Sequence, residues 1–423
     1  MARPISLHLL PDSTSINDGR ASVGGLELVD LAEEFGTPLF VYDEDHLRSR
    51  CREAVAAFPG GVSYATKAFL CTAMARLVHE EGMSLDVASA GELFVARSAG
   101  VPGDSCILHG NNKSMSELRY GIEEGVRHVM VDSFDELDRL DQLHRETGQV
   151  VDIMLRITPG VEAHTHEFVS TGQDDSKFGF TVSSGLAHRA VERAEASAAV
   201  TLIGIHAHIG SQVFRIDSFA KTVQVLADFT NPLDLEELSV GGGLGVAYVQ
   251  DEEAPSLSDW GRAVHQACSS AGVTARITAE PGRSIVGAAA ITLYTVGTIK
   301  PLAGIRTYLA VDGGMSDNPR PVLYGSGYET FLPRAVDADR PLEVRVVGKH
   351  CESGDVLVRD GWIPADTVVG DVLATPVTGA YGYGMASNYQ KLARPAVVFV
   401  GDGNARVVVR RETLEDILRL DVQ

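Results

Sequence analysis

Two short segments hold the residue types best suited to chemistry: Tyr64-Ala-Thr-Lys67 and Glu280-Pro-Gly-Arg283, each closing a short apolar run and more than two hundred positions apart. A lysine at the end of a buried strand can form a Schiff base, and a carboxylate set against a pyridinium nitrogen keeps that ring an electron sink. Together they read as a pyridoxal phosphate site. Neither segment persuades alone, because a single Lys in such a tetrapeptide is more often a solvated surface residue. The weight therefore falls on the elements that must place them.

Lys67 follows the strand-like run Val62-Ser-Tyr-Ala65, and the same pattern recurs down the chain. Leu85 to Ala88 leads to Ser89, Cys106 to Leu108 leads to His109-Gly-Asn111, and His128 to Val131 leads to Asp132. Ile153 to Leu155 then ends at Arg156, Leu202 to Ala207 at His208-Ile-Gly-Ser211, Leu238 to Val240 at Gly241-Gly-Gly243, and Ile277 to Ala279 at Glu280. The spacing is roughly twenty residues in the first four, room for one strand and one amphipathic helix, and Thr72 to Glu81 and Ala90 to Ala99 carry a helical period. Eight such units with polar residues after every strand predict an α/β fold, a (β/α)8 barrel whose loops converge on one pocket. An open doubly wound sheet would instead gather its chemistry at one switch point. The long interval between Arg156 and Leu202 contains His164-Thr-His166, Ser170-Thr-Gly172 and Lys177-Phe-Gly179, and reads as a functional or interface element.

At 423 residues the chain exceeds the usual single domain, and 44% apolar residues with 43 glycines suit an α/β protein with many tight loops. After Ile285 the alternation gives way to short strands punctuated by Gly and Pro: Ile291 to Ile299, Thr307 to Val311, Leu342 to Val347, Asp355 to Val358, Val372 to Pro376 and Ala396 to Val400. A strand at Pro38 to Tyr42 precedes the barrel series, and Glu412 to Leu420 reads as a final helix. The expected division is therefore a cofactor-binding barrel over residues 44–284 and a mostly β domain formed by residues 1–43 and 285–423.

A formal net charge of −21 excludes general nucleic-acid binding, which needs a basic face. The apolar stretches are strand-sized, and the N-terminus lacks a sustained apolar run and a cleavage pattern, so a cytoplasmic protein without membrane contact is expected. Five cysteines, at 51, 71, 106, 268 and 351, have no metal-site spacing. Their odd number and scatter point to free thiols in a reducing compartment, and no metal is expected.

Nine segments occur in one order: His109-Gly-Asn-Asn-Lys-Ser114, Pro159-Gly-Val-Glu-Ala-His-Thr-His166, Lys177-Phe-Gly179, His208-Ile-Gly-Ser211, Gly241-Gly-Gly243, Glu280-Pro-Gly-Arg283, Arg320-Pro-Val-Leu-Tyr324, Cys351-Glu-Ser-Gly-Asp355 and Gly379-Ala-Tyr381. In these the chain resembles the fold-type III pyridoxal phosphate decarboxylases over nearly its whole length, most closely the diaminopimelate decarboxylases. The resemblance implies a homodimer with shared active sites and the conversion of meso-2,6-diaminopimelate to L-lysine and carbon dioxide, the last step of lysine biosynthesis.

The resemblance also implies residue roles. Lys67 holds the cofactor and Glu280 sits by the pyridine nitrogen. His208 stacks on the ring. Ser211, Gly243, Gly282 and Arg283 form a phosphate cup, where glycines let backbone N–H groups approach an anion. Arg283, Arg320 and Tyr324 bind substrate carboxylates, for which a planar guanidinium is well shaped. Glu352 takes the distal amino group, and Tyr381 contacts phosphate or substrate. Cys351, from the partner subunit, returns a proton after carbon dioxide leaves.

Two other readings stay open. A decarboxylase of ornithine, lysine, arginine or a specialised amino acid would keep the chemistry, although two arginines and a tyrosine favour a distal carboxylate over a bare amine. A non-catalytic regulatory homologue would keep only the fold. An amino-acid racemase shares the barrel but prefers a cation where Glu280 stands. One departure from the family pattern is Gln390, where Asn is expected.

Overall fold

The computed structural model describes residues 4–160 and 174–422, and the chain divides into two compact units. His164-Thr-His166 and Ser170-Thr-Gly172 lie outside the described residues. One unit comprises residues 50–245 and 254–284, and the other residues 1–49, 246–253 and 285–423. Residues 246–253, which the spacing puts in the barrel, cluster with the second unit because Val246 and Tyr248 are buried in its core.

The first unit is the expected barrel. Its eight parallel strands are Ser63–Ala65, Ser84–Val87, Cys106–Leu108, His128–Val131, Val151–Thr158, Val200–His206, Glu237–Ser239 and Arg276–Thr278, each paired with its neighbour in sequence order. The first and last meet through a parallel bridge between Val62 and Ala279, where the Ser63 N–H donates to the Ala279 carbonyl at 2.9 Å. Closure removes the sheet's open edges and turns all eight strand ends to one rim.

Serine starts several of the helices that follow. Ser89, Ser114, Ser133 and Ser256 each accept the third backbone N–H of the helices Ala90–Ser98, Met115–Glu123, Phe134–Thr147 and Leu257–Ser270. Ser114 forms a full capping box with Glu117. Each cap contributes about 1 kcal/mol, and those at Ser89, Ser114 and Ser133 start the helix soon after the strand, keeping these loops on the rim short. Helix Phe134–Thr147 stops at Gly148, whose φ of +73° few side chains adopt. On the outer face Trp260 packs against Phe58 and Phe219, with ring centroids 4.7 and 5.3 Å away.

The long interval after the fifth strand contains structure of its own. Phe180–Thr181 adds to that strand in parallel, and helix Leu186–Glu195 follows. Lys177-Phe-Gly179 is a packing device: Phe178 lies under the Arg156 guanidinium at 4.2 Å and the Lys177 ammonium at 5.0 Å. The Gly179 N–H donates to Asp132 at 2.6 Å, and a Cβ on Gly179 would come within 2.6 Å of the Arg156 carbonyl.

The second unit is mostly β. Its main sheet runs Val356–Ile363, Leu342–Val347, Arg306–Val311, Ala290–Leu302, Leu39–Asp43, Ala396–Gly401 and Asn404–Val409, with Val372–Pro376 paired to the long central strand. Leu39–Asp43 is buried throughout because it is central, antiparallel to Ala290–Leu302 on one side and parallel to Ala396–Gly401 on the other. Three short N-terminal strands and Asn404–Val409 escape the sequence reading, since neither shows a clean buried alternation. Among the described residues no helix is long and apolar enough to cross a membrane.

Candidate active site

Lys67 sits in a single 3-10 turn, Thr66–Ala68, directly after the first barrel strand. Two hydrogen bonds pin that turn: the Thr66 hydroxyl donates to the Asp86 carbonyl at 2.7 Å, and the Tyr64 hydroxyl to the Phe69 carbonyl at 2.7 Å. Thr66, Ala68 and Phe69 are buried while Lys67 itself is exposed, so the amine is presented to the rim by a rigid base.

Glu280 lies two residues past the last strand and is buried. Its Oε2 is 2.8 Å from His206 Nε2, the Ser239 hydroxyl donates to Oε1 at 3.1 Å, and His109 Nε2 lies 3.4 Å from Oε1. Burial alone opposes its charge, but the adjoining imidazoles and their hydrogen bonds hold the carboxyl well below the usual carboxylate range. Burial also dominates at His206 and keeps it below its ordinary value, so it is a neutral N–H donor. His109 is the opposite case, because Asp86 and Glu280 together outweigh burial and raise it.

His208 is two residues beyond the sixth strand. The Gly242 N–H donates to its Nδ1 at 3.1 Å, which leaves any ring proton on Nε2. Burial first, and the Lys67 ammonium second, hold it well below its ordinary value, so Lys67 and His208 share one neighbourhood and His208 is neutral.

The triple glycine is a backbone cradle. A Cβ on Gly241, Gly242 or Gly243 would lie 2.4, 2.2 or 2.1 Å from the carbonyls of Ala207, Glu280 and Gly210. Gly241 and Gly242 spend their N–H groups on Ser239 and His208, leaving the Gly243 N–H without a partner among the described residues. Beside it, Arg283 donates to the Ser211 hydroxyl at 2.8 Å, and Gly282 packs against Ala65 where a Cβ would come to 3.0 Å. An amine, a buried anion and an unspent backbone donor in a cradle of this kind fit a phosphorylated pyridine aldehyde.

The β-rich unit holds the other expected residues in two groups. Arg320 is buried, donates to the Tyr328 and Ser326 hydroxyls at 2.9 and 3.0 Å, and has its guanidinium 5.7 Å from the Tyr324 ring and 5.9 Å from the Tyr381 ring. Tyr381 has a φ of +58°, and Val377 four residues earlier has +59°, a left-handed conformation a β-branched residue seldom takes. Cys351 and Glu352 lie on an exposed turn. Buried Asp355 anchors that turn by accepting the Met315 and His350 N–H groups at 2.6 and 2.9 Å.

Gln390 acquires a purpose here. Its Oε1 accepts the Cys351 N–H at 3.0 Å, from a backbone at φ +52°, while the preceding Tyr389 stacks on His350 with centroids 5.2 Å apart. A left-handed backbone suits Asn, and the extra methylene of Gln lengthens the reach of the amide.

Residues 44–287 match the family model described as pyridoxal-dependent decarboxylase, pyridoxal binding domain. A diaminopimelate decarboxylase of Mycobacterium tuberculosis is 46% identical over 99% of both chains, and one of Bacillus subtilis is 45% identical over 96% of this chain and 95% of that one. The chain belongs to the diaminopimelate decarboxylase family of pyridoxal-dependent decarboxylases. A diaminopimelate decarboxylase structure from M. jannaschii, in complex with L-lysine, superposes with a TM-score of 0.90 at 33% identity, covering 97% of this chain and 98% of that one. The family resemblance drawn from nine ordered segments thus holds over full length, as does the barrel with its β-rich second domain.

Within the family frame, sequence reasoning named Glu280 but missed the residues that hold it: His109, His206, Ser239 and Asp86. A signal was present. His206 and His208 are two apart at a strand end, a spacing that puts both side chains on one face. His109 follows the third strand as Lys67 follows the first.

Proposed function

We propose that this protein decarboxylates meso-2,6-diaminopimelate to L-lysine and carbon dioxide, using pyridoxal 5'-phosphate carried on Lys67. Bound pyridoxal phosphate supplies a sink for the electron pair left when the bond from Cα to its carboxylate breaks. Glu280, ionised and buried, keeps a proton on the pyridine nitrogen. His208 offers a neutral ring face. Gly243, Gly282, Ser211 and Arg283 hold the phosphate through backbone and side-chain donors. Cys351 returns a proton from Sγ to Cα once carbon dioxide has left.

The observation that carries the substrate is Arg320. It is a buried guanidinium whose hydrogen bonds go to two hydroxyls, and no carboxylate of the described residues pairs with it. A buried cation left without a counter-ion is costly unless a ligand brings one, and the distal carboxylate of diaminopimelate does so. Tyr324 joins Arg320 in that carboxylate-binding set, Tyr381 borders it, Arg283 offers a second guanidinium for a substrate carboxylate, and Glu352 accepts the distal ammonium. Exposure of the Cys351 turn in a single chain supports a homodimer in which each subunit lends that turn to its partner's site. A cytoplasmic setting agrees with five free cysteines.

Carbon dioxide release by the cofactor-loaded protein tests this, with meso-diaminopimelate offered beside L-lysine, L-ornithine and L-arginine. Release from diaminopimelate alone is expected. Arg320→Lys should raise KM about 10- to 100-fold, because an ammonium cannot reproduce a bidentate fork. Release from L-ornithine or L-lysine in its place would overturn the substrate.

A further inference from the structure

Glu280 is held by more than a carboxylate at a strand end requires. Both of its oxygens already have hydrogen-bond partners, Oε2 in His206 and Oε1 in Ser239, and His109 Nε2 lies within ion-pair distance of Oε1 without a hydrogen bond of its own among the described residues. The two imidazoles meet edge to face, with centroids 5.3 Å apart at 76°. Behind His109 stands a second buried carboxylate, Asp86, with Oδ1 3.7 Å from Nε2. These residues come from the ends of the second, third, sixth, seventh and eighth strands, so the cluster exists only in the closed barrel.

The two histidines cannot be equivalent. His206 Nε2 faces Glu280 and must donate, while its Nδ1 is buried with no hydrogen-bond partner among the described residues. Protonating that Nδ1 would bury an unsatisfied donor, so His206 is neutral. His109 Nε2 lies between two carboxylates, where a positive charge is favoured at both sides. The other groups facing Glu280 are His128, His208 and Arg156. His128 and His208 are held neutral chiefly by burial, and Arg156 is a buried cation whose guanidinium lies over the Phe178 ring and whose charge is shared among Asp132, Glu280 and Asp86.

We propose that His109, backed by Asp86, is the cation that keeps Glu280 ionised, and that neutral His206 aims the carboxylate, so that the pair acts as a positioning clamp for the pyridine nitrogen. This rests on the reading that Glu280 faces that nitrogen. Neither histidine touches the reacting atoms. His109 sets the charge of the group that does, and His206 its direction.

The test is the 15N chemical shift of ring-labelled pyridoxal phosphate in the holoenzyme, read with the pH profile of kcat. In His109→Gln and Asp86→Asn the pyridine nitrogen should move towards its unprotonated shift. The acid limb of kcat should rise in pH, because Glu280 without its cation is protonated earlier. In His206→Gln kcat should fall about tenfold or more with the limb unmoved, as when an orienting partner is lost. If His109→Gln does not fold, Asp86→Asn preserves shape and reads the same charge. The histidine ring nitrogens of the wild-type holoenzyme read it with no substitution, His109 doubly protonated and His206 singly protonated at about pH 7. An unmoved nitrogen shift and unmoved acid limb in the charge variants, or a neutral His109 in the wild type, overturns the clamp. Glu280→Gln separates the two ideas. If it shifts the pyridine nitrogen while the clamp variants do not, only the clamp is wrong; if it leaves the nitrogen unchanged, the placement of Glu280 itself fails.

Discussion

The barrel rim and the Cys351 turn hold their polar groups in opposite ways. On the rim, Glu280, His109, His206 and Asp86 are buried and tied to one another, so the local charge is built before any ligand arrives. The turn carrying Cys351 and Glu352 is exposed, and it is fixed through its backbone, by Asp355 from below and Gln390 from the side. A permanent electrostatic task is served by burial, which strengthens each interaction and penalises each vacancy. Under the proposed function, a group that must reach a substrate and deliver a proton belongs on a turn whose frame is rigid and whose side chains are left open.

Breaking the comparison at its root, Lys67→Ala should abolish the absorbance band of the covalently held cofactor and lower kcat by about 10⁴-fold or more. Survival of that band would remove Lys67 from its role. Cys351→Ala attacks the other region. It should cut kcat about 10²-fold or more while the cofactor band stays, since loss of a positioned acid leaves binding intact. Cofactor loss in this variant would make the turn structural.

His128 sharpens the contrast through pH. It is buried in the barrel unit with both ring nitrogens lacking hydrogen-bond partners among the described residues, and burial, then the charge on His109, push it down to about 3. The unfolded chain keeps the ordinary value of 6.5, so between these values the unfolded state binds the extra proton. Its contribution to stability is therefore full above about pH 6.5 and lost as pH falls, by on the order of a few kcal/mol. Denaturant melts at a series of pH values should show the slope, and His128→Asn should flatten it.

The smallest effect belongs to Gln390→Asn. Shortening the amide should lengthen its bond to the Cys351 N–H and slow turnover about two- to fivefold through one weakened exposed hydrogen bond. A steady-state assay checks it, and an unchanged rate would mean that Asp355 alone frames the turn.

Much of this molecule was legible beforehand. The eight apolar runs each ended in polar residues, and a period-two run cannot hide such a break, so the barrel and the strand-end positions of Lys67, His208 and Glu280 could be read directly. The glycine cradle was legible as a motif, but which N–H stayed unspent was not, because His208 reaches it from beyond the sixth strand while Ser239 turns back onto it from the seventh. Asn404–Val409 was missed because a half-exposed edge strand lacks the apolar signal of a central one. Gln390 was visible only as a departure, since its partner is thirty-nine residues away.

Sequence by itself determined where chemistry-bearing residues sit along each strand-helix unit, because local period, caps and glycines are properties of neighbouring residues. Tertiary structure alone decided their protonation. Whether His109 is a cation, His206 neutral and Glu280 ionised depends on barrel closure bringing Asp86, His109, His206 and Glu280 within a few ångströms, from positions scattered over nearly two hundred residues, into a medium where water no longer screens them.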